Sequence, residues 1–328
     1  MTQTLKRTLG KSKLSVSALG LGCWAIGGEF TIDGRPAGWG NVDDAESMHA
    51  IQRALELGIT FFDTADVYGC GHSERILGQA LAGRRNAVVI ATKFGNVFDE
   101  QTRQGAGRNL TPEYIRSACE ASLKRLNTDY IDLYEMHSTP ETMTETEDVL
   151  ATLEELVSAG KIRYYGPSTD DVEVARSFAR APHYTAVQQQ LNVFGGNDEL
   201  IAYCEAENLA VICRTPLAMG MLTGKYQDEN ALAANDVRRH TPWWEYFKAG
   251  RMQEWVARVE VLRDILSSDG RTLTQGALGW IWARSNQALP IPGFKTVAQV
   301  EENAAALRLG ALSQQQMQQI DTLLKSTF

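Results

Sequence analysis

The chain has 328 residues, 44% hydrophobic and 22% charged, the balance of an ordinary soluble globular protein. That length suits an α/β barrel, a fold that commonly exceeds ~250 residues as a single domain. A net charge of −8 argues against nucleic acid or an anionic membrane as a general partner, so an anionic ligand needs a local cluster of cations.

Residues 1–13 are polar and basic and lack the apolar core of a secretory signal. No apolar run approaches the ~20 residues of a membrane span. Cys23, Cys70, Cys119, Cys204 and Cys213 are widely spaced, with no C-x-x-C among them. Reduced thiols in a cytoplasmic protein are the expectation. No Cys/His group has zinc-ligand spacing, so no metal is expected.

In chain order, residues 8–17 read as a β-hairpin turning at Gly10-Lys11-Ser12, and 18–22 as a buried strand. Residues 25–42, with five glycines, read as a loop. Asp43 and Glu46 have capping-box spacing before a helix striped by Met48, Ile51 and Leu55 and ended at Gly58. Strands follow at 59–62, 87–92, 130–134, 162–165, 185–191, 209–213 and 288–291, alternating with helical patterns. Thr111-Pro112 supplies a cap and a first-turn proline for the helix striped by Ile115, Cys119, Leu123 and Leu126. Residues 214–250 form a long insertion after the seventh strand. Trp243, Trp244, Tyr246, Phe247 and Trp255 read as its anchors. Ser313 and Gln316 form a capping box on the last helix, with Met317, Ile320 and Leu324 inward.

Short apolar runs joined by helices imply parallel strands under helical cover. The expected fold is therefore a single-domain (β/α)8 TIM barrel over residues 1–328. An open doubly wound sheet would call for a G-x-G-x-x-G after a strand, and none is present. In such a barrel the carboxyl ends of the strands carry function. Those ends offer Trp24, Asp63, Lys93, His137, Ser168, Gln188, Arg214 and Lys295. Singly, Asp63 reads as a helix cap or turn former, Lys93 as a solvated charge and His137 as a core histidine. Delivered together with Tyr68 by successive strands, they make an acid–base constellation.

The chain resembles the aldo-keto reductase family over nearly its whole length. The resemblance rests on Phe61-Phe62-Asp63-Thr64-Ala65-Asp66-Val67-Tyr68-Gly69, Ser73-Glu74, Ala91-Thr92-Lys93, Asp132-Leu133-Tyr134 with His137, Gly160-Lys161-Ile162-Arg163, Thr215-Pro216-Leu217-Ala218-Met219-Gly220, and Ile291-Pro292-Gly293 with Glu302-Asn303. Residues 221–226 are similar to bacterial branches and to the potassium-channel β-subunit branch.

The resemblance implies an NAD(P)H-dependent enzyme that reduces aldehydes or ketones. Tyr68 would be the general acid, and Lys93 would favour its phenolate. Asp63 would hold Lys93, and His137 would orient and polarise the carbonyl. The implied substrate wall is Trp24, Trp39, Tyr68 and His137. The implied coenzyme site begins at Gly22, Cys23, Trp24 and Asp63. Ser168 and Gln188 match the carboxamide positions, with Thr169 where the family usually has Asn, and Arg214 stands where many relatives stack an aromatic ring. Pro216, Leu217, Gly220, Leu222 and Lys225 match the pyrophosphate segment. Gly293, Lys295, Thr296, Gln299, Glu302 and Asn303 match the adenosine end. Lys295 reads either as a surface lysine before a helix or as the partner of a 2′-phosphate, which favours NADPH with NADH possible. The alternative function is a nucleotide-sensing regulatory subunit with little turnover. Small-molecule carbonyls or alcohols are the expected partners, and oligomeric state is left open.

Overall fold

The structure, a computed structural model, describes residues 5–228, 232–240, 245–248 and 250–327. Strands β1 (Lys6–Thr8) and β2 (Ser15–Ser17) pair antiparallel, Lys6 opposite Ser17. There follow β3 (Gly20–Gly22), β4 (Thr31–Ile32), β5 (Arg35–Pro36), α1 (Asp44–Glu56), β6 (Phe61–Asp63), α2 (His72–Ala80), β7 (Val89–Phe94), β8 (Asn96–Asp99) and β9 (Gln104–Arg108). Next come α3 (Pro112–Leu126), β10 (Ile131–Met136), α4 (Met143–Ser158), β11 (Ile162–Pro167), α5 (Val172–Ser177), β12 (Ala186–Gln190), α6 (Asp198–Ala206) and β13 (Ala210–Arg214). The chain closes with α7 (Met252–Leu266), α8 (Leu273–Arg284), β14 (Ala288–Pro290), α9 (Val297–Leu309) and α10 (Gln314–Thr327).

Strands β3, β6, β7, β10 and β11 form one parallel sheet, and β12, β13 and β14 another. Isolated parallel bridges join them at both seams: Tyr165 to Tyr184 and Ser168 to Gln188 on one side, Gly22 to Gly293 on the other. The eight strands thus make the TIM-barrel arrangement that the alternation implies. The β11–β12 seam depends on Gly166, where a Cβ would stand 1.9 Å from the Ala186 carbonyl oxygen.

Period-two alternation sorts the side chains. Phe62, Ile90, Tyr134, Val187 and Val211 belong to the core under the helices. Phe61, Val89, Ala91, Leu133, Ala186, Ala210 and Leu289 form a separate cluster inside the ring, with Leu9 and Val16 packed against it. Two residues further along the same inward faces stand Asp63, Lys93, Glu135 and Gln188, all buried. A layer of polar groups therefore lies directly above an apolar plug.

Several sequence expectations are corrected. Residues 25–42 are not a plain loop, because together with residues 94–108 they contribute a four-stranded sheet in the order β5-β4-β9-β8. The β4–β5 turn is Asp33-Gly34, with φ of +49° and +74°, an Asp-Gly hairpin signal that the glycine-rich composition masked. Strands β7 and β10 each end two residues beyond their predicted limits, at Phe94 and Met136. Asp43 caps α1 by accepting from the Ala45 and Glu46 amides. Glu46 does not complete the capping box; its carboxylate accepts from the Val297 amide at 2.8 Å and ties α1 to α9. The box at Ser313 and Gln316 does form. In the long insertion Tyr246 and Phe247 are buried, and Trp255 meets Tyr246 with ring centroids 4.8 Å apart. Trp243 and Trp244 lie outside the described residues. Among the described residues no helix is long and apolar enough to cross a membrane.

Candidate active site

A cavity of about 1070 Å³ opens at the carboxyl ends of the strands, slightly above the ~300–1,000 Å³ typical of small-molecule sites. Its floor is the polar layer. The Lys93 ammonium, fully buried, donates to both carboxylate oxygens of Asp63 at 2.8 Å, to the Thr64 carbonyl at 2.7 Å and to the Tyr68 hydroxyl at 3.4 Å. Its ion pair is part of the barrel interior, where a charge must be matched to be tolerated.

Tyr68 reaches this point through a tightly bonded turn. Thr64 N donates to Ala91 O and Asp66 N to Lys93 O, anchoring the turn to β7. Gly69 takes φ +61°, and a Cβ there would stand 2.0 Å from Gly27 O, so the turn closes against the loop after β3 only without a side chain. Behind it the Ser73 hydroxyl bonds Thr64 Oγ1 at 2.8 Å and Cys23 O at 2.7 Å. The Tyr68 ring stacks on Trp24 with centroids 5.9 Å apart, and Trp24 meets Trp39 edge-on at 5.5 Å.

Burial pushes the Tyr68 phenol above its ordinary value; Lys93 pulls it down, and Asp63 and Glu135 push it up again. Lys93 acts in the expected direction, towards the phenolate, but in this chain desolvation outweighs it. Lys93 itself loses basicity to burial, but Asp63, Tyr68 and Glu135 more than restore it, so it stays charged. His137 is held well below the usual imidazole range by burial, Lys93 and Arg214, and is neutral at ordinary pH. Its Nδ1 lies 3.2 Å from Asn96 Nδ2. An amide N–H facing Nδ1 makes that nitrogen the acceptor and leaves the proton on Nε2.

Of the other sequence candidates, Gly22, Trp39, Ser168, Gln188, Arg214, Pro216, Leu217, Gly220, Lys225, Gly293, Lys295 and Gln299 line the cavity. Cys23, Leu222, Thr296, Glu302 and Asn303 are absent from the lining. Cys23 is fully buried with its thiol towards Leu21 O, because period-two alternation turns it away from its neighbours Gly22 and Trp24. Leu222 is wholly within the core. Thr296 caps α9 by accepting from Gln299 N, and the Gln299 side-chain amide oxygen accepts from Lys295 N at 2.7 Å. Glu302 stands 3.9 Å from the Lys225 ammonium. Thr169 is buried, its hydroxyl accepting from Asp171 N at 3.0 Å. Arg214 pairs with Asp170 at the rim.

Three groups at the site escape a reading of strand ends. Asn96 lies on the overlooked strand β8. Arg238 sits in the long insertion, bidentate to Asp236, with its guanidinium 4.3 Å from the Tyr226 ring centroid and 5.0 Å from that of Trp39. No local pattern marks either residue. Glu135 did carry a signal, a lone acid among the inward positions of an apolar strand.

Lys225, Arg238 and Lys295 thus line the same cavity as Tyr68, His137, Trp24 and Trp39. The Aldo/keto reductase family profile matches residues 18–325. The aldo-keto reductase yakc of Schizosaccharomyces pombe, whose name specifies NADP(+), is 33% identical over 302 residues, covering 90% of this chain and 85% of that protein. The glycerol dehydrogenase of Gluconobacter oxydans superposes with a TM-score of 0.83 at 28% identity, over 97% of this chain and 94% of the other. An aldo-keto reductase from Klebsiella pneumoniae in complex with NADPH gives 0.72 at 26% identity, over 98% and 96%.

Proposed function

We propose, from the premise that the chain belongs to the aldo/keto reductase family, that it is an NADPH-dependent oxidoreductase that reduces aldehyde or ketone carbonyls to alcohols. The observation that carries this reading is the 3.4 Å contact between the Lys93 ammonium and the Tyr68 hydroxyl on the cavity floor. A buried cation touching a phenol that faces a cavity has little structural purpose, whereas it offsets the charge left when that phenol gives up a proton.

The donor set fits a dinucleotide phosphate. Lys225, Lys295 and Arg238 line the cavity and supply positive charge there, as phosphates require. Gln188 and Ser168 offer hydrogen-bonding groups beside Tyr68, as a carboxamide requires. When bound, NADPH supplies the hydride that reduces the carbonyl carbon.

The chain's own work is to hold the carbonyl and move a proton. Tyr68, protonated at neutral pH, donates from its hydroxyl to the carbonyl oxygen. Lys93 stabilises the phenolate that results, and Asp63 keeps Lys93 in line. Neutral His137 donates from Nε2 to the same oxygen, polarising the bond without bringing a second cation next to Lys93. Trp24 and Trp39 wall the substrate and exclude water, which strengthens both hydrogen bonds.

The test is incubation with NADPH and a panel of small aldehydes and ketones. Coenzyme oxidation that depends on the carbonyl is expected. Tight NADPH binding with no oxidation across the panel refutes the reductase reading.

A further inference from the structure

We propose that Glu135 is a positioning residue for this centre, fixing the Gln188 amide from inside the barrel. The inference rests on the reductase reading. It begins with where Glu135 stands. The residue is fully buried on β10, directly opposite Lys93 on β7, one inward step beyond the apolar Leu133. An acid at such a position is costly unless its polar atoms are answered.

Lys93 does not answer them. Its three N–H groups go to Asp63, the Thr64 carbonyl and the Tyr68 hydroxyl. Glu135 Oε2 instead accepts from Gln188 Nε2 at 2.9 Å, and Oε1 meets no donor. So dry a position suits a neutral carboxylic acid better than a carboxylate. Burial pushes the Glu135 carboxyl well above the usual range; Lys93 pulls it partly back, and Asp63 raises it again.

The consequence falls on Gln188. Its Nε2 donates to Asp63 Oδ1 at 2.7 Å and to Glu135 Oε2 at 2.9 Å. Both amide hydrogens are thereby engaged, and the amide cannot turn over without facing an oxygen with an oxygen. Gln188 also lines the cavity. The group it presents to a ligand is therefore the amide oxygen, an acceptor for the N–H of a carboxamide. Glu135 thus selects which end of Gln188 the nicotinamide meets.

The experiment compares wild type, Glu135→Leu and Glu135→Gln in the full chain. Two probes are titrated by fluorescence: NADPH, and 2′-phospho-ADP-ribose, which lacks the nicotinamide. Glu135→Leu removes the acceptor from Gln188, and roughly tenfold weaker NADPH binding is expected, with 2′-phospho-ADP-ribose unchanged and kcat for carbonyl reduction lowered. Glu135→Gln, whose amide oxygen can still accept from Gln188, is expected to rescue binding and kcat. Should Glu135→Leu fail to fold, Glu135→Met carries the same comparison. Unaltered NADPH binding in the apolar variant, equal weakening of both probes, or no rescue by Gln overturns the proposal. A wild type that binds NADPH but reduces no carbonyl sinks the reductase reading alone, and the two-probe comparison still decides on Glu135. A wild type that binds no NADPH overturns both.

Discussion

The Lys93 ammonium lies 3.4 Å from the Tyr68 hydroxyl and 5.0 Å from the centroid of its ring. It is therefore close enough to act on the charge of the phenol while being anchored elsewhere, by the Asp63 carboxylate at 2.8 Å. The cation is fixed before any ligand arrives, so little reorganisation is needed when the phenol gives up its proton.

Tyr68→Phe removes the donated proton and little else, since the ring still stacks on Trp24. A fall in kcat of ~10²–10⁴-fold is expected, with NADPH affinity kept within a few-fold. Steady-state reduction of an active aldehyde and a fluorescence titration measure the two.

Lys93→Met leaves Asp63 as an unpaired buried charge beside Glu135. A loss of about 3–5 kcal/mol in unfolding free energy is expected. Adding Asp63→Asn removes the orphaned charge and is expected to recover much of that loss, because replacing a whole buried pair costs far less than breaking it. Urea denaturation of the wild type, both single variants and the double variant closes the cycle. Additive losses would refute the direct coupling.

The depressed pKa of His137 makes a stability prediction. In the unfolded chain an imidazole titrates near ~6.5, while in the folded chain burial, Lys93 and Arg214 resist protonation. The unfolded state binds the proton first on acidification. Stability is therefore full above about pH 6.5 and falls as pH drops towards the folded value, by up to ~1.4 kcal/mol per pH unit from this one group. Thermal unfolding of wild type and His137→Gln between neutral and mildly acidic pH tests this; the variant is expected to have the shallower dependence. Parallel curves would refute it.

Coenzyme choice is testable at Lys295. Its ammonium donates to the Trp39 carbonyl, and burial lowers its pKa, with Asp236 opposing and Arg238 adding to that effect. If it also meets a 2′-phosphate, Lys295→Ala should raise KM for NADPH roughly tenfold or more while changing KM for NADH little. Wild type that uses NADH as well as NADPH would remove the basis for this assignment.

The sequence by itself determined the order of strands and helices and the presence of Asp63, Tyr68, Lys93 and His137 at the mouth of the barrel. Those signals are local: an apolar run ends, and the residue at its end faces the functional rim. Helix caps at Thr111 and Ser313 are local in the same sense. Only the tertiary structure decided that Cys23 faces away from the cavity, that β4, β5, β8 and β9 join across residues 31–108, and that Gln188 reaches Asp63 across a sequence separation of 125. It also decided the balance at Tyr68, where burial outweighs the neighbouring cation. Desolvation belongs to the closed ring of strands rather than to any one of them. It exists only once distant segments have excluded water together, and no window of sequence contains it.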